Sequence, residues 1–187
     1  MVSSCITVSR LGSNASPEKP KNLMLYRVRK TKKKDCYELS ERVREVDKQE
    51  IWSSGRFTPI KALLEGFEIS GDHCYTLLLS EKATKHMNLE KVVGIFGVSK
   101  VQEGIGIVWL IGSNDMTKYK KDFYKVSKKY LKLFLQEFKT VFNYVDDRNK
   151  TTARWLQKLG FNLITREPEF GVDKIPFNLF LKGKSYV

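Results

Sequence analysis

Val141–Phe161 reads VFNYVDDRNKTTARWLQKLGF. Val141, Phe142, Tyr144 and Val145 are strand formers. Asp146, Asp147 and Asn149 interrupt that run and are side chains that cap a following helix. Ala153, Leu156 and Leu159, with Trp155 beside them, recur at helical spacing. Gly160 stands where a helix C-terminus wants a left-handed residue, and Phe161 restarts an apolar strand. The stretch therefore predicts strand, capped helix, Gly-Phe and strand, and the rest of the chain is read outward from it.

Before it, Thr117–Phe138 predicts a long helix with Phe123, Val126, Tyr130, Phe134 and Phe138 on its buried face. Lys118, Lys121, Lys125, Lys128, Lys132 and Lys139 fall mostly elsewhere on it. Val92–Val98 and Ile105–Ile111 are apolar strands joined by a turn around Gln102–Gly104, a hairpin pattern. Lys82–Glu90 reads as a polar connection after a strand at Cys74–Leu79. Thr58 caps a helix with Pro59 at its first position and Ala62, Leu63, Phe67 and Ile69 inward. A loop at Ser53–Gly55 separates it from a helix that Asp35 caps and that runs to about Glu50, with Leu39, Val43 and Val46 on one face. A first strand spans Leu23–Arg29, followed by the basic turn Lys30–Lys34. After the central stretch, Phe161–Arg166 is a strand. A turn with Glu167, Pro168 and Gly171 leads to a last strand at Phe177–Leu181. This order predicts an α/β (α+β) domain over 23–187, a mixed sheet with about four helices on its faces. Residues 1–22, rich in Ser, Pro and Asn, read as a flexible extension.

Lys and Arg number 34 against 21 Asp and Glu, a formal charge of +13. Such a balance favours anionic partners: nucleic acid, a phosphorylated cofactor, an anionic membrane surface or an acidic protein. A lysine-rich solvated surface is the simplest source of it. Cys5, Cys36 and Cys74 are odd in number and form no CxxC pair, and His73 and His86 complete no metal spacing. The expectation is reduced thiols, with no metal. No stretch has the apolar length of a membrane span, and the N-terminus lacks a signal-peptide core, so the chain is expected in cytoplasm or an assembly formed there.

Asn149, Ala153 and Lys158–Phe161 (KLGF) after a strand resemble the last block of the GNAT (Gcn5-related N-acetyltransferase) fold. Val28-Arg29 followed by Asp35 resembles the usual entry into that fold, and the element order agrees across Leu23–Leu181. Within it, the chain resembles small GNAT-like proteins of tailed bacteriophages, including the internal virion protein of podovirus-type phages. The resemblance lies in Glu45–Gly55, Val92–Val98, Val108–Ser113 and the central stretch.

The resemblance implies a cofactor turn between the Ile105–Ile111 strand and the long helix. Backbone N–H groups there would hold the CoA pyrophosphate. If CoA binds, Leu110, Ile111, Gly112, Ser113, Asn114 and Asn149 are the positions to hold it. The family pattern Arg/Gln-x-x-Gly-x-Gly/Ala keeps one glycine here, and Asp115 sits in the turn. The Tyr that acts as general acid in many relatives, seven residues after the Asn, is Leu156. Catalytic candidates are Glu103, Tyr124 and Tyr144, with Glu50 and Glu65 added by availability. The resemblance thus implies a kept scaffold with a degenerate acetyl-CoA loop: a non-catalytic, virion-associated (internal virion or assembly) protein, in the virion or the host cytoplasm. Its partners would be other virion proteins, and phage DNA through Lys118, Lys121, Lys125, Lys128 and Lys132. Two alternatives stay open: an acetyl-CoA-dependent N-acetyltransferase acting on a host or phage amine, and a non-specific nucleic-acid-binding protein.

Overall fold

The computed structural model describes residues 25–83 and 87–183. The extension expected at 1–22 lies outside them. Seven strands and five α-helices follow in the order β1 (Tyr26–Lys30), α1 (Lys33–Ser40), α2 (Glu45–Gly55), α3 (Pro59–Ser70), β2 (Cys74–Ala83), β3 (Met87–Gln102), β4 (Ile105–Gly112), α4 (Lys120–Glu137), β5 (Thr140–Asp146), α5 (Lys150–Lys158), β6 (Asn162–Phe170) and β7 (Ile175–Gly183). They form one sheet in the order β1-β2-β3-β4-β5-β7-β6. Among the described strands only β4 and β5 run parallel.

The α1–α3 layer covers one face of the sheet, where Leu39 and Leu63 pack on Leu78, Val92 and Ile95. Cys36 and Cys74 are buried free thiols in that layer, and burial pushes Cys36 up to about 11. On the opposite face, Phe123, Val126 and Phe134 of α4 and Leu156 of α5 pack on Leu77, Val93, Val98 and Val141. The face expected of the long helix is the one that is buried.

The α5 unit forms as its residues dictate. Asn149 is the N-cap, its side chain accepting from Thr152 N at 3.1 Å. At the other end Gly160 takes φ +85°. Its N–H donates to Gln157 O (2.9 Å), and Phe161 N–H donates to Leu156 O (3.0 Å). Two carbonyls left over at the helix end are thereby satisfied, and Phe161 packs with Leu156 in the core. The acidic turn is tied down as well. Asp146 accepts from Arg148, and Asp147 from Lys150, Asn178 and Arg166.

Several elements depart from the sequence reading. The helix expected to run from Asp35 to Glu50 is broken. Val43 bridges to Ser113, and Arg44 N–H donates to Gly112 O (2.9 Å), so a distant strand end pulls this segment out of helix. Asp35 lies in the first turn of α1 rather than at its cap. It accepts from Lys32 N, Thr76 Oγ1 and, through two bonds of 2.6 and 2.8 Å, Arg29. Ser53–Gly55 belong to α2, and Ile69 is exposed. Glu167 and Pro168 lie in β6, so the turn comes later, at Gly171. The polar connection expected at Lys82–Glu90 is largely strand, β2 reaching Ala83 and β3 starting at Met87. The long helix starts at Lys120, after a 3-10 turn at Asn114–Thr117.

Candidate functional site, the fork between β4 and β5

The parallel ladder of β4 and β5 holds only at Ile105–Thr140, Gly106–Val141 and Ile107–Phe142. Beyond it the strands answer to different partners. The end of β4 stays paired with β3 (Gly112 opposite Gly94) and with the α1–α2 link, while β5 stays with β7 (Asp146 opposite Phe177). They diverge, and a cavity of about 340 Å³ opens between them. Aromatic side chains dominate its wall: Phe96, Trp109, Phe123, Tyr130, Tyr144 and Trp155. Its polar groups come from Arg44, Asp47, Glu50 and Ser54 of the α1–α2 region, Ser127 of α4, Asn143 of β5, and Asn149 and Thr152 at the start of α5.

Asp47, Glu50 with Ile51, and Ser54 follow the spacing that puts one face of α2 against the cavity. Asp47 is buried and matched, accepting from Arg44 Nε and Nη2 (3.0 and 2.7 Å) and from Gly112 N (3.0 Å). Glu50 accepts from Asn149 Nδ2 at 3.0 Å. Burial raises its carboxyl to about 7, Asp47 and Asp146 add to the rise, and the Asn149 amide opposes it. Over this end lies the β6–β7 turn. Val172 N donates to Ser53 O (3.1 Å), and Gly171, at φ +66°, approaches α2 so closely that a Cβ would lie 2.5 Å from Ser53 O.

Much of the turn after β4 is hydrogen-bonded within the chain. Gly112 N donates to Asp47, Ser113 N to Val93 O, Met116 N to Ser113 O and Lys118 N to Asp115 O. Tyr119 N donates to Tyr26 Oη (3.2 Å), whose O–H donates to Met116 O (2.9 Å). Asp122 and Phe123 N–H groups turn back to Tyr119 O. Gly112, the one glycine kept from the family pattern, makes room for the thioether of Met116. Asp115 is ion-paired with Lys91 (2.7 Å), and Asp122 stands in the first turn of α4. At that end of the cavity Phe123 stacks on Trp155 (centroids 4.8 Å apart, planes at 15°), with Tyr124 edge-on to the indole. A pyrophosphate needs free N–H donors and positive charge at a helix start. Here the N–H groups of Gly112, Ser113, Met116, Lys118, Tyr119, Asp122 and Phe123 are engaged within the chain, and Asp115 and Asp122 stand among them, so the turn departs from that pattern.

The structure does not bring the three catalytic candidates together. Glu103 lies in the β3–β4 turn, at the closed end of the β4–β5 ladder, exposed and paired with Lys100 (2.7 Å). Tyr124 lies outside the cavity wall, its hydroxyl donating to Lys158 O (3.4 Å). Tyr144 does line the cavity, stacked on Phe170 with centroids 4.6 Å apart. Of the cofactor positions, Leu110, Ile111 and Asn149 line it. Gly112 and Ser113 are bound into the closed turn, and Asn114 is exposed. Glu65 is exposed on α3. Glu50, reached in the sequence only by availability, is the carboxylate the fold brings to Asn149. Its signal was the polar spacing of Asp47, Glu50 and Ser54 along one helix face. Lys118, Lys121, Lys125, Lys128 and Lys132 are all exposed, and none of them lines the cavity.

A seven-stranded sheet forked at its one parallel pair, with three helices on one face and two on the other, is the GNAT acyltransferase fold, and solved structures bear this out. Ard1 from Thermoplasma volcanium matches with a TM-score of 0.66 at 14% identity, covering 87% of this chain and 99% of that one. A GNAT-family acetyltransferase from Bacillus anthracis matches at 0.61 and 14%, over 86% and 95%. An acetyltransferase from Bacillus subtilis in complex with CoA matches at 0.55 and 11%, over 84% and 97%. No family model and no curated protein matches the sequence. The chain therefore has the GNAT fold, at a sequence distance where the likeness speaks for the fold alone.

Proposed function

We propose that this chain is a GNAT-fold protein that works by binding rather than by acetyl transfer, as a virion-associated assembly protein of a tailed bacteriophage. The observation that supports the non-catalytic part is the turn after β4, where the N–H groups of Gly112, Ser113, Met116, Lys118, Tyr119, Asp122 and Phe123 are engaged by Asp47, Val93, Tyr26 and the turn itself. Leu156, buried in the core where many relatives place an acid, supports it. The virion part is supported by the resemblance of Glu45–Gly55, Val92–Val98, Val108–Ser113 and Val141–Phe161 to small phage proteins of this fold.

One observation favours a second reading, an amine N-acetyltransferase. Glu50, titrating near 7 at the fork, has the proton affinity of a general base. Incubation with acetyl-CoA and a panel of amines, read as free CoA thiol, separates the two. The binding reading expects no release above the spontaneous rate. Release that saturates with amine and falls at least about tenfold in Glu50→Gln overturns it. Mass spectrometry of purified particles of the source phage is expected to find this chain, and its absence from them overturns the virion part.

A further inference from the structure

Lys121, Lys125, Lys128 and Lys132 are spaced by four, three and four residues along α4. At about 100° per residue they fall within roughly 60° of arc and rise over about 16 Å, opposite the buried face. All four are exposed. Lys128 and Lys158 bring their ammonium groups over the same ring, Tyr124, at 5.9 and 5.0 Å, which joins the row on α4 to the outer side of α5. A hollow of about 330 Å³ beside the row is lined by Lys128, Lys132 and Lys182 together with Leu131, Leu135, Gln136 and Leu159.

We propose that this lysine row, flanked by Lys158 and Lys182, is a binding surface for duplex nucleic acid, held through its phosphate backbone without sequence preference. Charge complementarity is the first argument. A duplex carries one phosphate charge per ~1.7 Å of axis, so the 16 Å row of about four lysines meets an excess of phosphates. The second argument is what the row lacks. A protein partner needs an apolar or aromatic anchor at the centre of its interface. The leucines of the hollow, Leu131, Leu135 and Leu159, are buried or half-buried, Leu133, the exposed large apolar residue of α4, lies about 80° or more round the helix from the row, and Tyr124 is half-buried with two lysine ammonium groups near its ring. Lysines act as point charges rather than as the planar forks that read bases, hence the absence of sequence preference. The surface is separate from the fork, so the proposal stands or falls independently of the reading given to that cavity.

The test is fluorescence anisotropy of a labelled 25-base-pair duplex (about two turns) titrated with the full chain at several salt concentrations. Wild-type affinity is expected to fall with a log–log salt slope of about −4, and duplexes of unrelated sequence to bind within about twofold. Lys121→Gln, Lys125→Gln, Lys128→Gln and Lys132→Gln together are expected to flatten the slope by about 3 and weaken binding at least about 100-fold at low salt. A control with Lys33→Gln, Lys34→Gln, Lys61→Gln and Lys174→Gln removes the same charge from elsewhere and is expected to keep most of the affinity. Far-UV circular dichroism checks that both variants fold. No binding by wild type at about 25 mM salt, equal losses in the two quadruple variants, or competition by poly-glutamate as effective as by unlabelled duplex each overturns the proposal.

Discussion

Glu50 and Tyr26 hold the two ends of the fork, and each can be questioned one atom at a time. The folded protein binds the Glu50 proton more tightly than the unfolded chain, whose carboxyl has its ordinary value of 4.5. Stability is therefore lost as pH rises from about 4.5 to about 7, and stays lowered above that range. Glu50→Gln is expected to be more stable than wild type by roughly 2–3 kcal/mol at pH 8 and unchanged at pH 4, read by urea denaturation at both pH values. An equal effect at both would mean that burial does not shift this carboxyl. Tyr26→Phe removes the hydroxyl that accepts from Tyr119 N and donates to Met116 O. A loss of about 1–2 kcal/mol is expected, with faster amide exchange at Tyr119 than in wild type. Neither role was legible in sequence. Tyr26 reads as one more alternating strand residue, and its partners lie about ninety positions away. Asp35 was legible as a helix-start carboxylate, but not as the residue that Arg29 and Thr76 bind from neighbouring strands.

Among the elements, those governed by local chemistry were readable and those set by distant partners were not. Asn149, Leu156, Gly160 and Phe161 specify both ends of α5 within thirteen residues, so its cap and its left-handed exit were there to read. Gly160→Ala forces a Cβ into φ +85° and to within 2.7 Å of Lys182 Nζ. Thermal denaturation is expected to show a loss of about 1–2 kcal/mol, whereas Gly160→Asn, which tolerates that backbone better, should lose less. Equal losses would argue against the left-handed turn. The break between α1 and α2 shows the opposite case. Residues 33–55 carry no Pro or internal Gly to announce it, because the cause is the end of β4 about seventy residues on. The late start of α4 has the same origin, in Met116 packing beneath Gly112 and in the reach of Tyr26.

At the scale of the whole molecule, the mixed sheet was legible because the strands and helices follow one another in an order that the resemblance to the GNAT fold matches, whereas the strand order β1-β2-β3-β4-β5-β7-β6 comes from the structure. The cavity was not, because it depends on β4 and β5 parting after three residue pairs under the pull of different neighbours. That parting is what the GNAT fold supplies, and it is kept here while much of the turn beside it is hydrogen-bonded within the chain. The central proposal is that the fork does not hold acetyl-CoA. Isothermal titration of the full chain with acetyl-CoA tests it most directly. No saturable heat is expected up to about 1 mM, and denaturation at that concentration should match the ligand-free protein. A dissociation constant near 10 μM would contradict the account, and would stabilise the fold by about 2.7 kcal/mol at 1 mM ligand.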